Sequence, residues 1–237
     1  MSILKNYGKK LMDKVQVYNR FNILDLLEKN KDSTLLDLGC DDGFWTNSLA
    51  KKIGTKKIYG VEVVKDKIKK ARLNKIIVKE FDLNGPFDYS DNTFDVVHAN
   101  QVLEHLHNTD GFIMEIKRVL RPGGYAIIST VNLASWHNVA ALVLGCQPFD
   151  SANYSNFGTI GNPFSFWNGK ESENSALESW QHIRVFTYRS LLDLFKHHGF
   201  VVEKTSGSGY YPLPNFFASL DKYHSHYIVF KIRRPLI

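Results

Sequence analysis

The sequence predicts an α/β fold: a seven-stranded, mostly parallel, doubly wound sheet with an antiparallel last strand, an N-terminal helix and an insertion after the fifth strand. Three observations predict it. Short apolar runs alternate with helical patterns along the first half of the chain, the order that βαβ units require. The first run, LLDLG (35–39), passes straight into a glycine-bearing turn and then a helical stretch. Finally, 237 residues at 43% hydrophobic and 23% charged suit a single domain, residues 1–237, with a sizeable core. No Pro/Gly/Ser-rich linker separates two halves.

The elements follow in order. An amphipathic helix is expected over 9–29, with Leu11, Val15, Tyr18, Ile23, Leu26 and Leu27 on its apolar face. LLDLG (35–39) reads as a buried strand, followed by a helix from Phe44 to about Lys52. KIYGVE (57–62) is the second strand, 65–73 the second helix of the alternation, KIIVKEFD (75–82) the third strand and FDVVHAN (94–100) the fourth. A helix over about 110–120 stops at Arg121-Pro122-Gly123-Gly124, where proline and glycine end helices, and YAIIST (125–130) is the fifth strand. Alternation then fails over 132–181, rich in Asn, Ser, Gly and aromatics, apart from a helix around 135–144. A helix resumes at 188–198 with Thr187 as N-cap and Gly199 after its end. FVVEKTS (200–206) and HYIVFKIR (226–233) pair as the last two strands.

Charge and cysteine content bound the function. The net charge of +6 divides into +8 over 1–80, −7 over 81–182 and +5 over 183–237. Much of the first excess is lysine on and between surface helices, a solvated face, and the acidic middle third argues against a polyanionic acceptor. Cys40 and Cys146 alone cannot make a disulfide framework, and the N-terminus lacks the apolar core of a secretory signal. No apolar run approaches the roughly 18–20 residues that span a bilayer. The expected location is the cytoplasm.

The strongest local signal is LLDLGCDDGFW (35–45). A buried strand ends at Asp37, the chain turns at Gly39, and Gly43 lets a ligand approach the backbone before the helix. Glu62 ends the second strand, where a carboxylate can accept from both hydroxyls of a ribose; Asp82 ends the third, where it can accept from an exocyclic amine. These features meet at the carboxyl ends of successive parallel strands, in one crevice.

Taken together, LLDLGCDDG (35–43), YGVE (59–62), EFDLNGPF (80–87), FDVVHANQVLEHL (94–106) and VLRPGGYAIIST (119–130) resemble the five ordered motifs of class I S-adenosylmethionine-dependent methyltransferases. NLASWHN (132–138), LVLGCQPF (142–149) and HIRVFTYRSLLDLFKHHGF (182–200) are similar to a subgroup linked to small-molecule or surface-polysaccharide methylation. The resemblance implies S-adenosyl-L-methionine as cofactor, with Asp37, Gly39, Cys40 and Gly43 around its methionine portion. It places Glu62 on the ribose, Asp82 and Leu83 at the adenine edge, and Asn100 and Gln101 under the sulfonium. One position departs from the pattern: Asp41 stands where the family usually has glycine, and aspartate tolerates the left-handed conformation better than most residues.

The sulfonium methyl is already activated, so the protein's task is to place the acceptor, a small molecule such as a sugar or lipid-linked sugar, in line with it. His105 and His182 are the candidate catalytic bases, needed only if a hydroxyl must lose its proton early. No acidic or cysteine partner stands at metal-ligand spacing from His105/His107 or His224/His226, so no metal is expected. The 132–181 insertion is expected to form the acceptor pocket and its cover, through Trp136, Phe149, Tyr154, Phe157, Phe164, Phe166, Trp167 and Trp180. The alternative is that these aromatics fill a local core or a homodimer contact, and apolar 139–144 leaves room for peripheral contact with a membrane. A nicotinamide dehydrogenase, the nearest rival enzyme, is disfavoured because its second and third glycine positions hold Asp41 and Phe44, and carboxylates would repel a pyrophosphate. A nucleic-acid methyltransferase is disfavoured, since Asn100-Gln101-Val102-Leu103 lacks the Asn/Asp-Pro-Pro-aromatic run of enzymes that methylate base amino groups. A non-catalytic cofactor-binding protein remains as an alternative of another class.

Overall fold

The computed structural model describes residues 2–151, 153–155, 158–164 and 181–236. Its strands are β1 (Thr34–Leu38), β2 (Lys57–Val61), β3 (Ile77–Lys79), β4 (Phe94–Asn100), β5 (Leu120–Val131), β6 (Asn153–Ser155), β7 (Gly158–Ile160), β8 (Val201–Ser208) and β9 (Tyr227–Arg233). Its helices are α1 (Ser2–Leu26), α2 (Phe44–Ile53), α3 (Lys65–Leu73), α4 (Thr109–Val119), α5 (Trp136–Val143), α6 (Tyr188–His197) and the short α7 (Phe217–Leu220). Seven strands form one sheet in the order β3-β2-β1-β4-β5-β9-β8, and β6-β7 form a separate hairpin. β9 runs antiparallel to both β5 and β8, while β1 to β5 pair in parallel, as the sequence predicts.

Alternate residues of each central strand face opposite layers. Leu36, Leu38, Val97, Ile128 and Phe230 pack against α4 and α6 through Phe112, Ile113, Ile116, Leu191 and Phe195. Leu35, Val96, Ile127 and Val229 pack against α1 and α2 through Ile23, Leu26, Leu49 and Ile53. Strands buried on both faces read as continuous apolar runs, which is why β1 and β4 are plain in the sequence. Truncating a fully buried anchor such as Leu49 to alanine costs roughly 2–5 kcal/mol.

Three expectations are corrected. β3 keeps only three residues of the eight-residue run 75–82, because it is an edge strand paired with β2 alone and its start turns at Lys75, φ +65°. β5 begins at Leu120 rather than 125: the register jumps from Phe94↔Leu120 to Val96↔Tyr125, so Arg121–Gly124 bulge out opposite Asp95. A bulge tolerates Pro122, which has no N–H for the ladder. α1 lies over 2–26, not 9–29. By contrast, α6 has the expected ends: the Thr187 side chain accepts from Ser190 N in a capping box, and Gly199 follows at φ +71°.

Candidate active site

The residues expected to hold the cofactor lie in and beside the loops at the carboxyl ends of β1, β2, β3 and β4. Between β1 and α2 the chain takes three left-handed positions in five residues: Gly39 at φ +75°, Asp41 at +49° and Gly43 at +80°. Aspartate thus holds the conformation that glycine usually supplies there. The loop is pinned by Gly39 N and Cys40 N, both donating to Val61 O, and by Gly43 N donating to Cys40 O. The Lys67 ammonium lies 2.7 Å from Asp41 Oδ1 and is held above its ordinary range by that hydrogen bond.

Two cofactor residues expected in the crevice face the core instead. Asp37 is 2% exposed; its Oδ2 accepts from the Thr46 hydroxyl and its Oδ1 lies 2.7 Å from His98 Nδ1. It therefore braces β1 against α2 and β4 from beneath. Cys40 packs with Ile68, Ala71, Ile76 and Val78, and burial pushes its thiol well above the usual range. The reason for Gly43 also changes. A Cβ there would stand 2.9 Å from Ile76 Cγ1 and 3.1 Å from Ala71 Cα, so glycine admits α3 rather than a ligand. At Gly39 a Cβ would meet Val102 Cγ2 at 2.9 Å.

Glu62 stands at the end of β2, half-exposed. Its Oε2 accepts from Asp41 N at 3.0 Å, and its Oε1 from Val63 N at 2.9 Å and Val64 N at 3.0 Å. The carboxylate thus clamps the glycine loop to the start of α3. Asp82 is exposed in the loop after β3, where its Oδ1 accepts from Asn84 N and Nδ2, while the Leu83 side chain is buried. Asn84 Oδ1 in turn accepts from His107 N at 2.8 Å, tying this loop to the one before α4.

At the end of β4, Asn100 Oδ1 accepts from Asn19 Nδ2 at 3.0 Å, and Asn19 also bonds the Ser129 hydroxyl. Asn19, 3% exposed on α1, ties that helix to Asn100 and to Ser129 of β5 and is missed by sequence reasoning. Its one signal is an amide standing between Val15 and Ile23 on an otherwise apolar face. Gln101 follows at φ +56°, with its N–H donating to Ser129 O at 2.8 Å and its side-chain Nε2 buried without a partner. A left-handed backbone and a buried amide without a partner set Gln101 apart as a candidate for ligand contact.

Beyond Gln101 the structure brings His105 and His182 together, with ring centroids 5.0 Å apart. His105 Nδ1 donates to Gln181 O at 3.0 Å, and His182 Nδ1 to Asp150 O at 2.7 Å. Burial holds His105 below its ordinary range. Between them lies a residue that the sequence reading passed over: Glu104, 0% exposed, whose Oε2 accepts from the Thr130 hydroxyl at 2.7 Å. Its Oε1 is buried without a partner, and burial pushes its carboxyl up. The Glu104 carbonyl also takes Ile183 N and Arg184 N, fixing the exit of the insertion.

The other sequence pairs dissolve. His107 uses its backbone on Asn84, and His224 bonds Asp221 and stacks on Trp136 at 4.3 Å. His226 instead joins His137 on the two oxygens of Asp150, each at 3.1 Å. Burial opposes the Asp150 charge, but His226 and His137 outweigh it and hold the carboxyl well below its usual range. Of the insertion's aromatics, Trp136 and Phe149 pack near these histidines and Phe164 is exposed. Phe157, Phe166, Trp167, Trp180 and the side chain of Tyr154 lie outside the described residues.

The amino-acid sequence matches the methyltransferase-domain family over residues 13–205. The chain belongs to that family. An uncharacterised methyltransferase of Schizosaccharomyces pombe is 33% identical over 117 residues, 44% of this chain and 42% of that protein. The mitochondrial ubiquinone biosynthesis O-methyltransferase of Dictyostelium discoideum is 27% identical over 160 residues, 59% of this chain and 48% of that protein. The chain therefore spans less than half the length of these two relatives. An S-adenosylmethionine-dependent methyltransferase from Mesorhizobium loti shares the fold, with a TM-score of 0.60 at 14% identity over 90% of this chain and 96% of that one. The cofactor of this methyltransferase is S-adenosylmethionine.

Proposed function

We propose that the chain transfers a methyl group from S-adenosylmethionine to an oxygen of a small-molecule acceptor. One adjacency carries the reading. The residues suited to the cofactor run along the ends of β1 to β4, and the turn after β4 carries His105, against which the end of the insertion brings His182. The cofactor supplies an activated methyl on a sulfonium. Three of the roughly four lone-pair sites of the Glu62 carboxylate are taken by backbone N–H groups, which leaves one on Oε2 for the ribose, and the free Oδ2 of Asp82 with the backbone of Leu83 suits the adenine edge. The backbone at Gly39 suits the methionine portion. Asn100 and the unpartnered Gln101 amide lie where its sulfonium end would be. Asn19 and Ser129 hold Asn100 in place from behind. Fixing acceptor and methyl in line supplies on the order of 7–11 kcal/mol in favourable cases.

An oxygen acceptor is favoured by the histidine pair and by the relative named for O-methylation. His105 and His182 bear on the proton that such a hydroxyl must lose. The 132–181 insertion fits the acceptor pocket and cover, because its ends are tied beside these histidines through Asp150 O, Glu104 O and the Leu133 N to Phe186 O bond. A lipid-linked acceptor is a second reading, favoured by exposed Leu142, Val143 and Leu144 at the end of α5. Among the described residues no helix is long and apolar enough to cross a membrane. Both cysteines are free, which fits a reducing compartment such as the cytoplasm.

The test is incubation of the chain with methyl-labelled cofactor and a metabolite extract, followed by mass spectrometry. Label in a small hydroxyl-bearing product supports the reading. Label confined to RNA or DNA refutes it.

A further inference from the structure

We propose that Glu104, His105 and His182 form a binding site for one divalent first-row transition ion. The argument rests on which atoms are left free. A carbonyl oxygen only accepts, so the bonds to Gln181 O and Asp150 O put the proton of each neutral imidazole on Nδ1. Each Nε2 then keeps its lone pair. Metal-ligating histidines are oriented in this way, by a backbone carbonyl on the other ring nitrogen. Glu104 repeats the pattern: Thr130 holds Oε2, and Oε1 is buried with no partner. One ligand atom from each of the three residues lies within 4.8 Å of the others.

An unsatisfied carboxylate oxygen in a fully buried residue is costly, and a cation is the group that satisfies it together with two imidazole lone pairs. Two nitrogens and one carboxylate suit zinc, iron or manganese better than calcium or magnesium, which prefer all-oxygen shells. Three protein ligands also leave coordination positions open. The second His/acid group, His137, Asp150 and His226, differs here. Both Asp150 oxygens are already bonded, and Oδ2 takes a further bond from Asn138 Nδ2 at 2.8 Å.

The consequence for catalysis rests on the methyl-transfer reading. An ion held by Glu104, His105 and His182 would lower the pKa of an acceptor hydroxyl that reached it. The two histidines would then act through the ion rather than by taking the proton themselves. Cation binding itself does not depend on that reading, and the experiment separates the two.

The metal-stripped chain, without cofactor, is titrated with Zn2+ by calorimetry and with Co2+ by visible absorption. One ion per chain is expected, and His105→Ala and His182→Ala should each weaken binding at least tenfold. His137→Ala should leave it unchanged. Equal binding in the parent and His182→Ala, or loss in His137→Ala alone, overturns the site. Should His105→Ala or His182→Ala fail to fold, X-ray absorption on the Co2+-loaded His137→Ala protein, in which the other cluster keeps only one imidazole, decides: two imidazoles on the ion support the proposal, and fewer overturn it. Calcium should not compete at a hundredfold excess, and effective competition by it contradicts the donor-set argument.

Discussion

Replacing Glu62 with glutamine is the most informative single perturbation of the cofactor site. The carboxylate accepts three backbone N–H groups, from Asp41, Val63 and Val64, at 2.9–3.0 Å. Glutamine has the same shape but only one oxygen. If that oxygen serves Val63 and Val64, the amide NH2 faces Asp41 N, donor against donor, and the glycine loop loses its clamp. If it serves Asp41, two N–H groups at the start of α3 are left unpaired. Either way at least one charge-assisted bond is lost, at about 1.5–3 kcal/mol each. The same change removes the negative acceptor for the ribose hydroxyls, so the affinity for S-adenosylmethionine should fall about ten- to a hundredfold. Melting should fall by only several degrees, since roughly 1 kcal/mol shifts Tm by 2–4 °C in a chain of this size. Calorimetric titration with the cofactor and with its demethylated product reads the first effect, and circular dichroism the second. An affinity within twofold of the parent, in a chain that still folds, would show that Glu62 is not the ribose ligand.

Other expectations follow from the same geometry. Gly43→Ala should destabilise by about 1–3 kcal/mol, because its Cβ meets Ile76 and Ala71 at a left-handed φ of +80°. Gly54→Ala, at φ +90° with nothing within 4 Å, should cost only the backbone strain of about 1 kcal/mol; equal losses in thermal melts would refute the packing argument. Asn19→Ala should lower cofactor affinity roughly three- to tenfold by freeing Asn100, with the far-ultraviolet spectrum unchanged; unaltered affinity would remove α1 from the site. Arg233 holds the Glu203 carboxyl below its ordinary 4.5, so its stabilisation is present above that pH and is lost as the pH falls through the folded value. Glu203→Gln should therefore lower Tm near neutrality and flatten the acid limb of Tm against pH, and an unchanged limb would contradict the assignment.

The parallel core was legible because β1 and β4 are buried on both faces and stay largely apolar, interrupted by Asp37 in β1 and by Asp95 and His98 in β4. β3 was overread because an edge strand pairs on one side only, and Lys75 turns before the ladder begins. The bulge at Arg121–Gly124 was invisible because register is a property of two strands, whereas a Pro-Gly-Gly run reads as a plain stop. At the site, positions were legible and orientations were not. Asp37 sits at the expected strand end, but its carboxylate turns under the sheet to Thr46 and His98. His105 and His182 were singled out separately, yet their contact depends on the insertion returning to the turn after β4. Glu104 stood next to His105 in the sequence. Only burial and the Thr130 bond distinguish it from a solvated glutamate.

The most direct measurement is a crystal structure of the chain with S-adenosylhomocysteine. The account predicts ribose hydroxyls on Glu62, adenine beside Asp82 and Leu83, and the sulfur close to Asn100 and Gln101, facing His105 and His182. Density for the ligand elsewhere, or with its ribose turned away from Glu62, would contradict it.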